Sequence, residues 1–246
     1  MRLLTFSFLK NSNLKCVYFS ASRYFSNGWA QPHLDPRKIS GDPSLVEISS
    51  TWPEGEEAAL RAAVVRDMQV LPDFVSEQEE AALMAELEPK LKRMRYEFDH
   101  WDNAIQGYRE TECSSWSEAN EAVLTRVKSL AFAAGGGAGE PLPHAHVLDL
   151  APGGHIKPHV DAVRFCGELI AGLCLVSSAV MRLEHCSHPH LALNALLARR
   201  SLYIMRGVAR YEFTHAVLGS ADSRWRGARV PRLRRVAVIC RSRAAA

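Results

Sequence analysis

The sequence has no C-x-x-C pair among its six cysteines, so neither a zinc knuckle nor a disulfide framework is indicated and the thiols read as reduced. No apolar run approaches the roughly 18–20 residues that a helix needs to cross a bilayer, which predicts a soluble chain. Phosphate-loop, dinucleotide and hydrolase-elbow motifs are missing, as are internal repeats and low-complexity arrays. From Met1 to Leu34 there is no acidic residue. What is present is ordinary globular material: 246 residues, 47% hydrophobic and 23% charged, which excludes a disordered, collagen-like or coiled-coil chain and allows one or two domains.

The acid-free beginning carries Arg2, Lys10, Lys15 and Arg23 among serines and repeated Phe, Leu and Tyr. That composition is a mitochondrial transit peptide. A secretory signal is excluded because Lys10, Asn11 and Asn13 interrupt the only apolar candidate, Leu3 to Leu9. The string Arg23-Tyr24-Phe25-Ser26 looks like a matrix-protease site that leaves Ser26 as the first mature residue, making 1–25 the transit peptide. Its loss removes four positive charges and no negative one, turning a formal net charge of +3 slightly negative. The mature chain then has no overall electrostatic pull toward nucleic acid.

Residues 26–60, rich in Pro, Gly, Ser and Glu, read as a flexible linker. A strand is expected at Ala63 to Val70. Ser76-Glu77-Gln78-Glu79 forms a capping box that starts a helix with Leu83, Leu87, Leu91 and Met94 on one face, interrupted near Pro89. Residues 96–116 are too irregular to type. A second helix runs from Ser117 to about Phe132 and stops at Gly135-Gly136-Gly137. From His144 onward strands recur at Ala145 to Leu150, Leu169 to Val176, Val180 to Leu183, Ser201 to Met205, Ala209 to His215 and Arg235 to Arg241. Leu191 to Leu197 fits a strand or a helical turn. The expected architecture is α+β, with two helices packed on one sheet of a β-sandwich.

Within the β-rich half, His159-Val160-Asp161 places an imidazole and a carboxylate two residues apart, which on extended backbone is one face. His215 is the best-placed third group. Two His and one carboxylate are the ligand set of non-haem iron oxygenases. The same residues also fit a hydrogen-bonded loop pair and a buried strand histidine. Arg235 and Arg241 share a face of the last strand, about 20 Å from end to end, while Val236, Val238 and Cys240 take the other. A buried guanidinium requires an anion and matches a carboxylate bidentately. 2-Oxoglutarate has two carboxylates, one to chelate iron and one at the far end that such an Arg would hold. Tyr203 is either a hydroxyl donor to that group or a core aromatic.

Through H-V-D at 159–161, His215 and the Arg235…Arg241 spacing, the sequence resembles the AlkB family of ferrous, 2-oxoglutarate-dependent dioxygenases. The phrases Arg95-Tyr96-Glu97-Phe98-Asp99-His100-Trp101, Ile156-Lys157-Pro158-His159-Val160-Asp161, Ser201-Leu202-Tyr203-Ile204 and Arg235 to Arg241 bring it close to a mitochondrial member over about residues 63–243. The resemblance implies a double-stranded β-helix (jelly-roll) spanning 61–246, with Fe(II) held by His159, Asp161 and His215. It also implies 2-oxoglutarate held by Tyr203, Arg235 and Arg241, with dioxygen as the other cosubstrate. It implies a matrix location and a role in alkylation-triggered programmed necrosis and fatty-acid metabolism.

Three departures from nucleic-acid repair members bear on the substrate. Ala237 and Ile239 stand where those members have Asn and Thr in the last strand. Leu148 and Leu150 stand where they have an Asn and a Tyr that contact 2-oxoglutarate. Only residues 96–116 are available for the lid that clamps a flipped base. The reading that follows is hydroxylation of a protein side chain. Demethylation of mitochondrial RNA is the alternative, favoured by Arg224, Arg226, Arg229, Arg232, Arg234 and Arg243 after the last acid, Asp222. A non-enzymatic interaction protein retaining the fold is the third reading; DNA is not expected as a partner. His144, His146, His155, His185, Cys186, His188 and His190 match no zinc spacing and read as turn and surface residues.

Overall fold

The computed structural model describes residues 40–98, 103–133 and 139–244; the expected transit peptide and the triglycine stop lie outside them. From residue 40 onward, ordered elements stand where the linker was expected; its 26–39 part lies outside the described residues. A 3-10 turn at Pro43–Leu45, capped by Asp42, leads into β1 (Val46–Ile48). Trp52 is buried, with its indole Nε1 donating to the Glu56 carbonyl at 2.9 Å and its ring stacked 6.2 Å from Phe213. The Pro, Gly and Glu content points to a linker; one large indole with a place in the core outweighs it.

α1 (Ala58–Asp67) runs through most of the stretch expected as a strand, and β2 is confined to Met68–Leu71. Four alanines between 58 and 63 favour helix, and Val64 and Val65 tolerate it because Val64 is fully buried. α2 (Glu77–Leu91) starts on the expected capping box: Ser76 Oγ accepts from Glu79 N at 3.1 Å and Glu79 Oε2 accepts from Ser76 N at 2.8 Å. Leu83, Leu87 and Leu91 are buried, but Met94 lies beyond the helix end and is exposed. The untyped stretch supplies β3 (Ile105–Cys113), and α3 (Glu118–Ala133) follows.

The remaining strands are β4 (Ala145–His159), β5 (Ile170–Leu175), β6 (Ala179–His185), β7 (Ala192–Leu197) and β8 (Leu202–Met205). Then come a short helix α4 (Gly207–Tyr211), β9 (Phe213–Val217), the hairpin β10 (Arg224–Trp225) and β11 (Ala228–Arg229), and β12 (Arg235–Arg241). The expected strand at 209–215 is therefore half helix, but His215 stays on a strand. β7 resolves the ambiguity at 191–197.

All pairings are antiparallel, in the order β1-β7-β6-β9-β4-β12-β5-β8-β2 with β3 also on β4. β4 belongs to two sheets. Its first half pairs β12, from His146 opposite Ile239 to Leu150 opposite Arg235, and its second half pairs β9, with His159 opposite His215. Pro152-Gly153-Gly154 is the corner between them. Gly154 must be glycine there, since a Cβ would sit 2.6 Å from the Gly107 carbonyl of β3. The result is a jelly-roll in which one sheet (β3-β4-β12-β5-β8-β2) faces the other (β4-β9-β6-β7-β1).

Two cores follow from the alternation of strands. Between the sheets lie Met68, Tyr108, Leu148, Leu183, Phe213 and Ile239, with α1 at one end. Outside the first sheet, Val236, Val238 and Cys240 of β12 meet Leu83 and Leu87 of α2 and Leu124 and Val127 of α3. Two helices on one sheet is thus the observed arrangement. Arg126 of α3 ties it to α2, donating to Glu79 at 2.8 and 3.0 Å.

Leu87→Ala should cost about 2–5 kcal/mol in urea unfolding, as expected for a fully buried side chain. Burial pushes the Glu79 carboxyl up, but the Arg126 and Ser76 hydrogen bonds outweigh it and hold it below its ordinary 4.5. A lowered folded value means stability present above pH 4.5 and lost as pH falls through it. Arg126→Met should therefore show a smaller stability loss than wild type between pH 7 and about pH 3.

Candidate active site

β4 ends on His159, β9 carries His215 directly across the ladder, and the loop leaving β4 turns Asp161 back between them. Asp161 Oδ1 lies 3.3 Å from His159 Nε2 and 3.5 Å from His215 Nε2, and the imidazole centroids are 4.3 Å apart. One ligand atom from each residue falls within 4.8 Å of the others, the one such cluster found among the described residues. His159 Nδ1 sits 3.0 Å from the Lys157 carbonyl, which fixes it as the protonated nitrogen and turns Nε2 toward Asp161.

The electrostatics favour a cation at this point. Burial, reinforced by the nearby His159, pushes His215 down to about 3, so its imidazole is neutral and able to donate a lone pair. Burial pushes the Asp161 carboxyl up, but its contact with His159 and the charge of Arg241, which donates to it, hold it well below the usual carboxylate range. The neutral imidazole of His215, the Nε2 of His159 and an ionised Asp161 carboxylate converging on one face are a donor set that fits a ferrous ion.

Arg241, at the end of β12, donates through Nε to Asp161 Oδ2 at 2.8 Å. Its Nη1 lies 3.0 Å from His146 Nδ1, and His146 Nε2 lies 2.8 Å from Glu110 Oε2. Because Arg241 can only donate, His146 Nδ1 accepts and its Nε2–H donates to Glu110. His146, expected at the surface, instead supports the cation that orients Asp161. The pattern that points to it is period two: His146 shares the inward face of β4 with Leu148 and Leu150.

Arg235 and Tyr203 lie deeper between the sheets. Arg235 is 2% exposed; its Nη2 donates to Cys174 Sγ at 3.1 Å and its Nε is buried without a partner. An orphaned buried guanidinium nitrogen is the feature expected where a ligand carboxylate belongs. Tyr203 packs over Gly172, where an ideal Cβ would be 2.6 Å from its hydroxyl. Burial pushes the Tyr203 phenol well up, so it stays protonated as a donor.

A cleft of about 1070 Å³ opens onto His159, Asp161 and Arg241, walled by Glu110, Glu112 and Phe165. Two arginines of the expected basic edge do not belong to it. Arg232 is buried, and Arg234 is paired with Asp149 and Glu88 at 2.8 Å each. Both are drawn into the fold, whereas Arg224, Arg226, Arg229 and Arg243 are exposed. His185, His188 and His190 pack on one another away from the cleft, and His190 meets Glu56 at 3.0 Å.

Among solved structures, OsALKBH1 aligns with a TM-score of 0.54 at 14% identity, over 72% of this chain and 98% of that one. A Pseudomonas putida prolyl-4-hydroxylase aligns at 0.53 and 17%, over 74% and 98%. The fold is thus the double-stranded β-helix used by 2-oxoglutarate oxygenases. No family model matches the chain. The Bos taurus protein named alpha-ketoglutarate-dependent dioxygenase alkB homolog 7, mitochondrial, is 52% identical over 192 residues, 78% of this chain and 85% of that protein. Its Mus musculus namesake is 50% identical over 191 residues with the same shares. The chain belongs to the alkB homolog 7 branch of the AlkB family and is an α-ketoglutarate-dependent dioxygenase.

Gly172→Ala should force Tyr203 aside at a cost of about 1–3 kcal/mol by thermal unfolding. Adding Tyr203→Leu should recover part of that loss; strict additivity of the two changes would show that they do not share the space.

Proposed function

We propose that the chain is an Fe(II)- and 2-oxoglutarate-dependent dioxygenase of the mitochondrial matrix that hydroxylates a protein side chain. His159, Asp161 and His215 hold the iron; Arg235 and Tyr203 hold the distal carboxylate of 2-oxoglutarate and Arg241 the end nearer the metal. Bound there, the pair supplies oxygen activation coupled to decarboxylation of 2-oxoglutarate to succinate, with a substrate C–H bond hydroxylated. The protein's own work is placement. The Lys157 carbonyl sets the His159 tautomer, Arg241 fixes the Asp161 carboxylate, and burial keeps His215 neutral.

The protein reading is carried by the wall of the cleft. Glu110 and Glu112 stand beside the metal cluster, where they repel a phosphate backbone. Phe165 in the same wall and Val163 beside it are each 61% exposed, an apolar rim suited to a polypeptide. The exposed arginines of the β10–β11 hairpin favour the second reading, demethylation of mitochondrial RNA. The matrix assignment is supported by the acid-free N-terminus and by relatives named as mitochondrial. Participation in alkylation-triggered programmed necrosis and fatty-acid metabolism rests on the family resemblance alone.

Succinate formation by the purified protein with ferrous iron and 2-oxoglutarate under air should fall at least about a hundredfold in His159→Ala and Arg235→Ala. Equal turnover in wild type and both variants would overturn the site assignment. RNA binding that weakens steeply with salt and is relieved by Arg224→Ala with Arg226→Ala would move the substrate to RNA.

A further inference from the structure

The loop entering β12 buries another guanidinium three residues before Arg235. Arg232 is 6% exposed, and its Nη2 donates to the Gly154 carbonyl at the corner of β4, at 2.9 Å. Its Nε and Nη1 are buried without partners, as is Arg235 Nε. Neither side chain forms an ion pair among the described residues; their acceptors are a carbonyl and a thiol. The nearby carboxylates are already engaged, Asp149 by Arg109 and Arg234, and Glu88 by Arg234.

Burial and the field of Arg235 pull Arg232 down to about 10, which leaves it charged at neutral pH. Two buried guanidinia with unpartnered nitrogens are costly in a low-dielectric interior unless an anion lies with them. The strand positions beside them offer no polar help. Leu150 is directly opposite Arg235 and Leu148 opposite Ala237, and both side chains are apolar.

We propose that Arg232 is a second guanidinium for the distal carboxylate of 2-oxoglutarate, sharing it with Arg235 through its unpartnered Nε and Nη1. The inference rests on the reading that this pocket takes 2-oxoglutarate. It makes Arg232 a specificity-determining residue, since a 2-oxo acid without a distal carboxylate gains nothing from it.

The test is calorimetric binding of 2-oxoglutarate and of pyruvate to the iron-loaded protein under argon, for wild type, Arg232→Met, Arg232→Lys and Arg235→Met. Arg232→Met should weaken 2-oxoglutarate about tenfold or more, the loss of one charge-assisted hydrogen bond, and leave pyruvate unchanged. Arg232→Lys should recover part of the affinity. An Arg232→Met protein that binds 2-oxoglutarate like wild type, or loses both acids equally, overturns the proposal. If that variant does not fold, Arg232→Lys and Arg232→Gln carry the test: the 2-oxoglutarate to pyruvate affinity ratio must fall in the order Arg, Lys, Gln, and a constant ratio overturns it. An effect of Arg235→Met without one of Arg232→Met rejects Arg232 alone. No effect of either rejects the 2-oxoglutarate reading of the pocket itself.

Discussion

The burial of β12 on both faces is the constraint from which the rest follows. Period two gives one face to Val236, Val238 and Cys240, and that face is covered by α2 and α3. It leaves Arg235, Ala237, Ile239 and Arg241 pointing between the sheets, so the same packing that stabilises the helices drives two guanidinia into the sandwich. Arg234, one residue out of phase, turns the opposite way and is neutralised by Asp149 and Glu88. The alternation sorts adjacent arginines into one paired with two carboxylates and one buried between the sheets with an unpartnered Nε. Neither role can be exchanged without reversing the whole strand.

β4 converts that strand into a site. By pairing β12 with its first half and β9 with its second, it sets the distance between the arginines and the histidines. The corner at Gly154 is what allows one strand to serve both sheets. His159 then faces His215 as a cross-strand pair, and the loop beyond needs only two residues to bring Asp161 between them. Arg241 closes the circuit from β12, so the metal cluster draws on β4, β9 and β12 together. Each of its pairings joins segments tens of residues apart, so the site exists only once the sheets have paired.

How much of this can be read in the sequence depends on how local the cause is. β12 is legible to the residue because its alternation is complete, and the start of α2 because a capping box is a four-residue device. The H-x-D spacing and His215 are legible as a ligand set; their convergence is not, since it depends on strand pairing. α1 is hidden because Val64 and Val65 favour strands locally, while burial of Val64 against the sandwich decides for helix. The stretch 40–60 looks like linker by composition, yet Trp52 has a slot beside Phe213. His146 and Arg232 escape notice for one reason: a charged or titratable side chain is assigned to the surface by default, and only the three-dimensional neighbours show that it is inside.

The buried cations also tie stability to ligand binding. Arg235 and Arg232 lose hydration on folding and recover only a thiol and a carbonyl as acceptors, so folding bears a desolvation cost that no carboxylate among the described residues offsets. An anion that binds the folded state alone returns that energy as affinity. By linkage the same term raises stability, by about 2.7 kcal/mol at a ligand concentration a hundred times its dissociation constant. The pocket can therefore be strongly basic without destroying the fold only because the apolar layer on the other face of β12 is extensive enough to hold the strand in place. Helix packing on the outside and guanidinia turned inward are two consequences of one seven-residue strand.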